Sequence, residues 1–447
     1  MRIVVAFATG LFALVPGASA QQTLPSAPVP PPAAQASQST TTQAIAQSST
    51  PSSRITLDEA LRLSLQHNHA LLALRSTILQ SQAMEITANL RPNPVLAWDA
   101  QFLPIFNPSN FNNDYLDNSA QFDAGVSYLF ERGKKRQHRL RAAQDATTVI
   151  RSQVSDSERQ LAFNVAQQFI NVVLAESTLQ FAQQDLDSFQ KTVDISASRY
   201  YAGDLSEGDF LKIKLQLLQF QTDVSGAKLA RVQALAGLRQ FLGFESVPDD
   251  YDVTGDLDYQ PENAALTDLK VLAGQSRPDL IAAQENVTAA RSQEALAVAN
   301  SKQDLTAGAT YTHTAGLSTA ALAFNIPLPV FDRNQGEIAR TRYAITQAQE
   351  QASETAQQVG TDVLDAYENL RTNDQIVQLY RGGYVDQAKQ SRDISEYAYR
   401  RGAASLLDYL DSERTYRANQ LAYRQALASY MLALEQLRQA VGTRNLP

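Results

Sequence analysis

From Arg54 onward the sequence is written twice, and an internal repeat restricts the possible folds more tightly than composition does. Four anchors carry the repeat. Ala70-Leu71-Leu72-Ala73 lies over Asp279-Leu280-Ile281-Ala282 at an offset of 209, and Phe130-Glu131-Arg132 lies over Phe331-Asp332-Arg333 at 201. Tyr200-Tyr201-Ala202-Gly203 lies over Tyr399-Arg400-Arg401-Gly402, and Leu238 to Gly243 over Leu437 to Gly442, both at 199. The offset falls by eight between the first two anchors because the first copy has a longer loop at 103–118. This sets repeat 1 at 54–243 and repeat 2 at 268–442, joined by an acidic, proline-containing linker at 244–267 and followed by a tail at 443–447.

The segment before the repeats reads differently. Arg2, an apolar run from Ile3 to Leu14 and the small residues Ala18-Ser19-Ala20 form a signal peptide at 1–20, so the mature chain starts at Gln21. Residues 21–53 are rich in Pro, Gln, Ser, Thr and Ala and are expected to be a disordered leader. No later stretch reaches the roughly 18 to 20 apolar residues of a membrane-spanning helix, so a membrane location requires a barrel. There is no cysteine, which excludes disulfides, thiolate metal sites and a lipidated N-terminal Cys. The net charge of -8, or -9 once Arg2 is removed, argues against nucleic acid as a partner.

Within each copy the hydrophobic period changes twice. Leu57 to Ala88 has helical spacing behind a cap at Thr56, and Arg91-Pro92-Asn93-Pro94 stops it. Alternation follows, with Leu96, Trp98, Ala100 and Phe102 against Ala97, Asp99 and Gln101, then Phe122, Ala124, Val126, Tyr128 and Phe130 against Gln121, Asp123, Gly125 and Ser127. Copy two sets Leu305, Ala307, Ala309 and Tyr311 against Thr306, Gly308, Thr310 and Thr312, then Ala320, Leu322, Phe324 and Ile326 against Ala321, Ala323 and Asn325. These runs define β-hairpins at 94–130 and 305–328, of a length that crosses a bilayer in a tilted barrel. A β-sandwich with one wet face reads the same on any single strand. On the barrel reading Leu96, Trp98, Phe102, Phe122, Val126, Tyr128, Tyr311, Leu322 and Phe324 face lipid.

The remainder is helical. Lys134 to Tyr201 and Arg333 to Tyr399 would each span roughly 100 Å if continuous, with a bend expected at Gly382-Gly383. Leu427, Tyr430, Leu434, Leu437 and Val441 form a coiled-coil seam. Four strands cannot close a barrel alone, so the edges must pair with other copies.

Signal peptide, paired repeats, two short hairpins and very long helices together resemble the TolC family of outer-membrane factors. Arg91-Pro92-Asn93-Pro94, Phe130-Glu131-Arg132-Gly133-Lys134-Lys135-Arg136 and Ile326-Pro327-Leu328-Pro329-Val330-Phe331-Asp332-Arg333-Asn334 are similar to the branch associated with cobalt, zinc and cadmium resistance pumps. The resemblance implies a mixed α/β membrane protein: a homotrimer whose β-barrel, four strands per chain, is continued by a long periplasmic helical barrel of coiled-coil hairpins. It implies hairpin tips, with Gly203, Ser206, Gly402 and Ser405, that meet a periplasmic adaptor (a membrane fusion protein) linked to an inner-membrane pump. It also implies an entrance formed by Asp408, Asp411, Asp209 and Tyr399, with Tyr399 bonding across the closed state and Asp209 as its suggested partner; Ala404 stands where the family has an arginine. As ordinary helix-cap carboxylates the same aspartates need no such role.

The implied function is the exit duct of a tripartite, RND-type efflux system in the cell outer membrane, a passive channel for small solutes, heavy-metal cations among them. Ducts for drug efflux or type I secretion share the fold, and a poreless periplasmic coiled-coil scaffold is the alternative of a different class. Nothing suggests an enzyme: there is no P-loop, GxSxG or GxGxxG. His67 and His69 are two apart on a helix and lie on different faces, so neither a resident metal nor another cofactor is expected.

Overall fold

A computed structural model describes residues 54–447; the signal peptide and the leader fall outside the described residues. After a two-residue strand, β1 (Arg54–Ile55), the Thr56 hydroxyl accepts a bond from the Glu59 amide at 3.3 Å and opens α1 (Leu57–His67). The expected single helix is two helices. Asn68 breaks it, its side-chain oxygen capping α2 (His69–Asn89) through the Leu71 amide at 3.1 Å while its Nδ2 donates to the Phe241 carbonyl at 3.1 Å.

Next come β2 (Val95–Gln101), a loop holding a short helix α3 (Asn113–Asn118), and β3 (Gln121–Phe130). Two long helices follow: α4 (Lys135–Tyr201), unbroken over 67 residues, and α5 (Glu207–Leu242). The segment expected to be a linker carries β4 (Asp252–Val253), which pairs in parallel with β1, and buries Val247 and Tyr251; it is part of the core because the acidic residues alternate with these anchors. The same order of elements then recurs as α6 (Leu266–Ser276), α7 (Pro278–Asn300), β5 (Leu305–Thr314), β6 (Leu317–Asn325), α8 (Gln335–Leu379), α9 (Val385–Arg400) and α10 (Leu406–Val441). Between α8 and α9 a π-helical turn, Tyr380–Tyr384, contains Gly383 at φ 110°, which breaks the second long helix at the glycine pair.

Four strands form one antiparallel sheet in the order β2-β3-β5-β6. β2 is only seven residues long: Phe102, expected on the strand, takes φ 56° and lies past its end, so it leaves the alternation.

Each copy has its own core. Leu427, Tyr430, Leu437 and Val441 of the seam pack on Leu269, Val363 and Leu370 of the same chain, with Leu434 at the margin; Leu238 and Leu242 pack likewise on Val165, Phe169 and Val172. The repeat's terminal glycines are explained by this packing. Gly243 and Gly442 both adopt φ 88°, and a Cβ there would meet the His67 carbonyl at 2.9 Å or the Ser276 carbonyl at 3.1 Å. Because Leu437 is fully buried and Leu434 is not, Leu437→Ala should cost about 2–5 kcal/mol and Leu434→Ala less than half of that. Denaturant titration followed by circular dichroism checks the order, and equal losses would overturn it.

Candidate functional site

The first candidate surface is the sheet. Its register aligns Trp98 with Ala124, Tyr311 and Ala320, and Leu96 with Val126, Ala309 and Leu322, so that Leu96, Trp98, Phe122, Val126, Tyr128, Tyr311, Leu322 and Phe324 share one face. That face is bare within the chain: Trp98 is 70% and Leu322 76% exposed. The opposite face aligns Asp99, Asp123, Thr312 and Thr319, with Gln121 donating to Asp123 at 2.7 Å, Gln101 to Asp99 at 3.0 Å, and Thr312 also to Asp123. One side is therefore apolar and the other hydrogen-bonded and polar, and the outer edges of β2 and β6 have no strand partner among the described residues.

The second surface is the pair of helical turns at the far end. Gly203 at φ 85° follows α4 and Ser206 caps α5; Gly402 at φ 74° follows α9 and Ser405 caps α10. The four aspartate and tyrosine positions singled out from sequence are not one cluster within a chain. Asp408 belongs to a capping box with Ser405, accepting from its amide at 3.3 Å. Asp411 pairs with Arg414 at 2.6 Å. Asp209 pairs with Lys212 at 3.1 Å, and the bonds from Lys212 and Ser206 hold its carboxyl below the usual carboxylate range.

Tyr399, suggested as the partner of Asp209, is buried, and the side-chain hydrogen bonds it takes part in within the chain are with α4. Its hydroxyl meets Ser196 at 3.4 Å and its carbonyl accepts from Arg199 at 3.0 Å. Its ring stacks on Tyr409 at 5.5 Å, which stacks on Phe189 at 6.4 Å, which stacks on Phe220 at 4.4 Å, so that one aromatic ladder joins α9, α10, α4 and α5. Tyrosine suits this place because its ring packs while its hydroxyl finds Ser196 or, for Tyr409, Thr192.

Beyond the ladder lies a buried charge cluster that sequence reading missed. Arg417 of α10 meets Asp185 of α4 at 2.6 Å and pairs with Asp223 of α5, while its guanidinium covers the Phe220 ring at 4.1 Å. Glu413, only 4% exposed, faces Arg392 of α9 at 3.9 Å. Burial first, and then the neighbouring Asp185 carboxylate, push the Glu413 carboxyl up to about 8; burial also raises Asp185, against the pull of Arg417. The signal was present: Leu406, Tyr409, Glu413 and Tyr416 are spaced three, four and three apart, which puts Glu413 on a seam.

With this geometry established, comparison with known proteins is informative. The family model described as "Outer membrane efflux protein" matches residues 60–244 and 269–443. The cobalt-zinc-cadmium resistance protein CzcC of Cupriavidus metallidurans is 23% identical over 365 residues, 81% of this chain and 84% of that one. The pyoverdine export outer membrane protein OpmQ of Pseudomonas putida is 26% identical over 390 residues, 80% of each chain. The crystal structure of the Campylobacter jejuni CmeC outer membrane channel superposes with a TM-score of 0.72 at 16% identity, covering 87% of this chain and 86% of that one.

The Asp185–Glu413 pair should make docking of the helical hairpins pH-dependent. Freed from the cluster, both carboxyls return to ordinary values near 4, so docking is strongest in acid and weakens as pH rises from about 4.5 to about 8. Glu413→Gln, a neutral isostere of the protonated acid, should remove most of that slope and raise stability above pH 8 by on the order of 3 kcal/mol. Thermal melts at pH 5 and pH 9 read the difference, and parallel losses in parent and variant would place the slope elsewhere.

Proposed function

Because the chain belongs to the outer membrane efflux protein family, whose members are exit ducts in the outer membrane, we propose that three copies close one barrel and one helical tunnel. The observation that carries this is the sheet: one face apolar except for His313 and Ser318 at one end, one polar face and two open edges. Four strands fall short of the eight or so that the smallest barrels need, and three copies reach about twelve. In that assembly Leu96, Trp98, Phe122, Val126, Tyr128, Tyr311, Leu322 and Phe324 face lipid, and the Asp99–Asp123–Thr312 row lines the lumen. The exposed turns with Gly203, Ser206, Gly402 and Ser405 form the end that meets a periplasmic adaptor, through which an inner-membrane pump supplies the energy.

Heavy-metal cations are the cargo favoured by the likeness to a cobalt-zinc-cadmium resistance protein and by the acidic, polar row on the sheet. The likeness to a pyoverdine exporter supports an organic cargo through the same duct. Sensitivity of a duct-deleted strain to cobalt, zinc and cadmium, against sensitivity to organic compounds, separates the two when this chain is restored. Single-channel recording in planar bilayers tests the pore itself; absence of conductance from heat-resistant trimers would reject the duct in favour of a scaffold.

The entrance makes a sharper prediction. Three copies of Asp408 and Asp411 would bring six carboxylates to the narrow opening, half of them offset by Arg414. Asp408→Asn with Asp411→Asn should lower cation selectivity and relieve block by a periplasmic trivalent cation, with trimer yield unchanged since Ser405 still caps α10. Parental selectivity and block in the double variant would leave Asp408 with only its capping-box role and Asp411 with only its pairing to Arg414.

A further inference from the structure

The sheet meets the helices through four connections, 90–94, 131–134, 301–304 and 326–334, and with the first turns of α4 these carry a charge opposite to the chain's own. The chain is at -8, yet the connections and α4 up to Arg139 hold eight lysines and arginines against three carboxylates. The three carboxylates are already engaged. Glu131 binds Arg139 at 2.8 Å, Asp304 binds Lys135 at 2.7 Å, and Asp332 accepts the Asn334 amide at 2.8 Å. That leaves Arg91, Arg132, Lys134, Arg136 and Lys302 with no side-chain partner among the described residues, while Arg333 donates only to the Pro329 carbonyl at 3.2 Å. The first turn of α4 contains no acidic residue to balance Lys135 and Arg136.

Alongside these cations stands bare apolar surface. Leu328 is 80% and Phe331 91% exposed, and Ile326 and Val330 beside them are exposed as well. Both copies build the same junction: Phe130-Glu131-Arg132 and Phe331-Asp332-Arg333 each lead into a left-handed residue, Lys134 or Asn334, at the start of the next helix. Free cations next to exposed apolar side chains, where an apolar sheet face ends, match an anionic headgroup above its acyl chains.

We propose that this collar binds the headgroups of anionic phospholipids in the leaflet facing the periplasm, with their acyl chains against the apolar face of the sheet. The proposal rests on the reading of that face as lipid-facing. An exposed, unpaired cation gains most from an anion at a membrane surface, where the local potential concentrates charge, whereas a zwitterionic headgroup carries no net charge to attract it. The collar thereby fixes how deep the barrel sits as well as which lipids surround its periplasmic rim.

Trp98, the chain's single tryptophan, lies on the sheet's apolar face three residues beyond the start of β2, and reports on this rim. The full-length protein is reconstituted in vesicles containing increasing fractions of either brominated phosphatidylglycerol or brominated phosphatidylcholine. Phosphatidylglycerol should quench Trp98 at the lower fraction, a preference of about fivefold. The preference should fall toward unity in Arg132→Gln/Lys134→Gln/Arg136→Gln/Arg333→Gln, and in the parent at molar salt, which serves should the variant assemble poorly. Equal quenching by the two lipids in the parent would overturn the collar while leaving the lipid-facing sheet intact. No quenching by either would overturn both.

Discussion

An open sheet edge is a row of unpaired N–H and C=O groups, and hydrocarbon supplies no partner for them. Both outer strands, β2 and β6, present such an edge, on a sheet whose apolar face carries Trp98, Leu322 and Phe324. In water this face would be an aggregation site, and in lipid the edges would be. Closure among copies resolves both conditions at once. The repeat makes closure economical: two hairpins per chain supply four strands of nearly matched register, so a small number of copies completes the ring.

The helices obey a different constraint. At 67 residues α4 would fray in water on propensity alone, and it holds its place by packing on α5, α2 and α7. Buried charges tie the elements where apolar packing thins. Arg277 is satisfied outright, meeting Asp279 at 2.5 Å and Asp362 at 2.9 Å and donating to the Ala440 carbonyl at 3.1 Å, so it closes the end of α10 irrespective of ordinary pH. The cluster at Asp185 and Glu413 is conditional, since two neighbouring carboxylates cannot both ionise in a buried place without strain. One tie is fixed and the other follows the proton.

How far the sequence disclosed this depends on periodicity. Strand alternation survives translation into structure because side chains must point to opposite faces, and the register returned the apolar and polar sets almost intact. Phe102 left its set because a backbone angle, φ 56°, is invisible to a hydrophobic pattern. Asn68 was hidden within a helical pattern for the same reason: what splits the helix there is a side-chain bond to the Phe241 carbonyl, 173 positions away. The Arg392–Glu413–Arg417–Asp185 cluster draws on three helices, and only Glu413's seam position hinted at it. Likewise the carboxylates at 209 and 408 were legible as helix-start acids, while Asp411 falls past the first turn of α10, and Tyr399's ladder with Tyr409, Phe189 and Phe220 depends on contacts no spacing encodes.

The two copies, alike in order, differ in stiffness. The first reaches its tip through one unbroken helix, α4, while the second reaches its tip through α8, a π-helical turn and α9. A π turn with a glycine at φ 110° has already lost its regular hydrogen bonds, so bending there costs less than bending α4 anywhere along its length. What resists such bending lies beyond the turn: Arg392 on α9 faces Glu413, and Tyr399 is held by Ser196 and Arg199 of α4. Past the broken turn, the second tip is therefore held by the aromatic ladder and the charge cluster, which tie α9 and α10 to α4 and α5. The first hairpin has no such turn in α4, so the inequality between the two copies is concentrated at Tyr380–Tyr384.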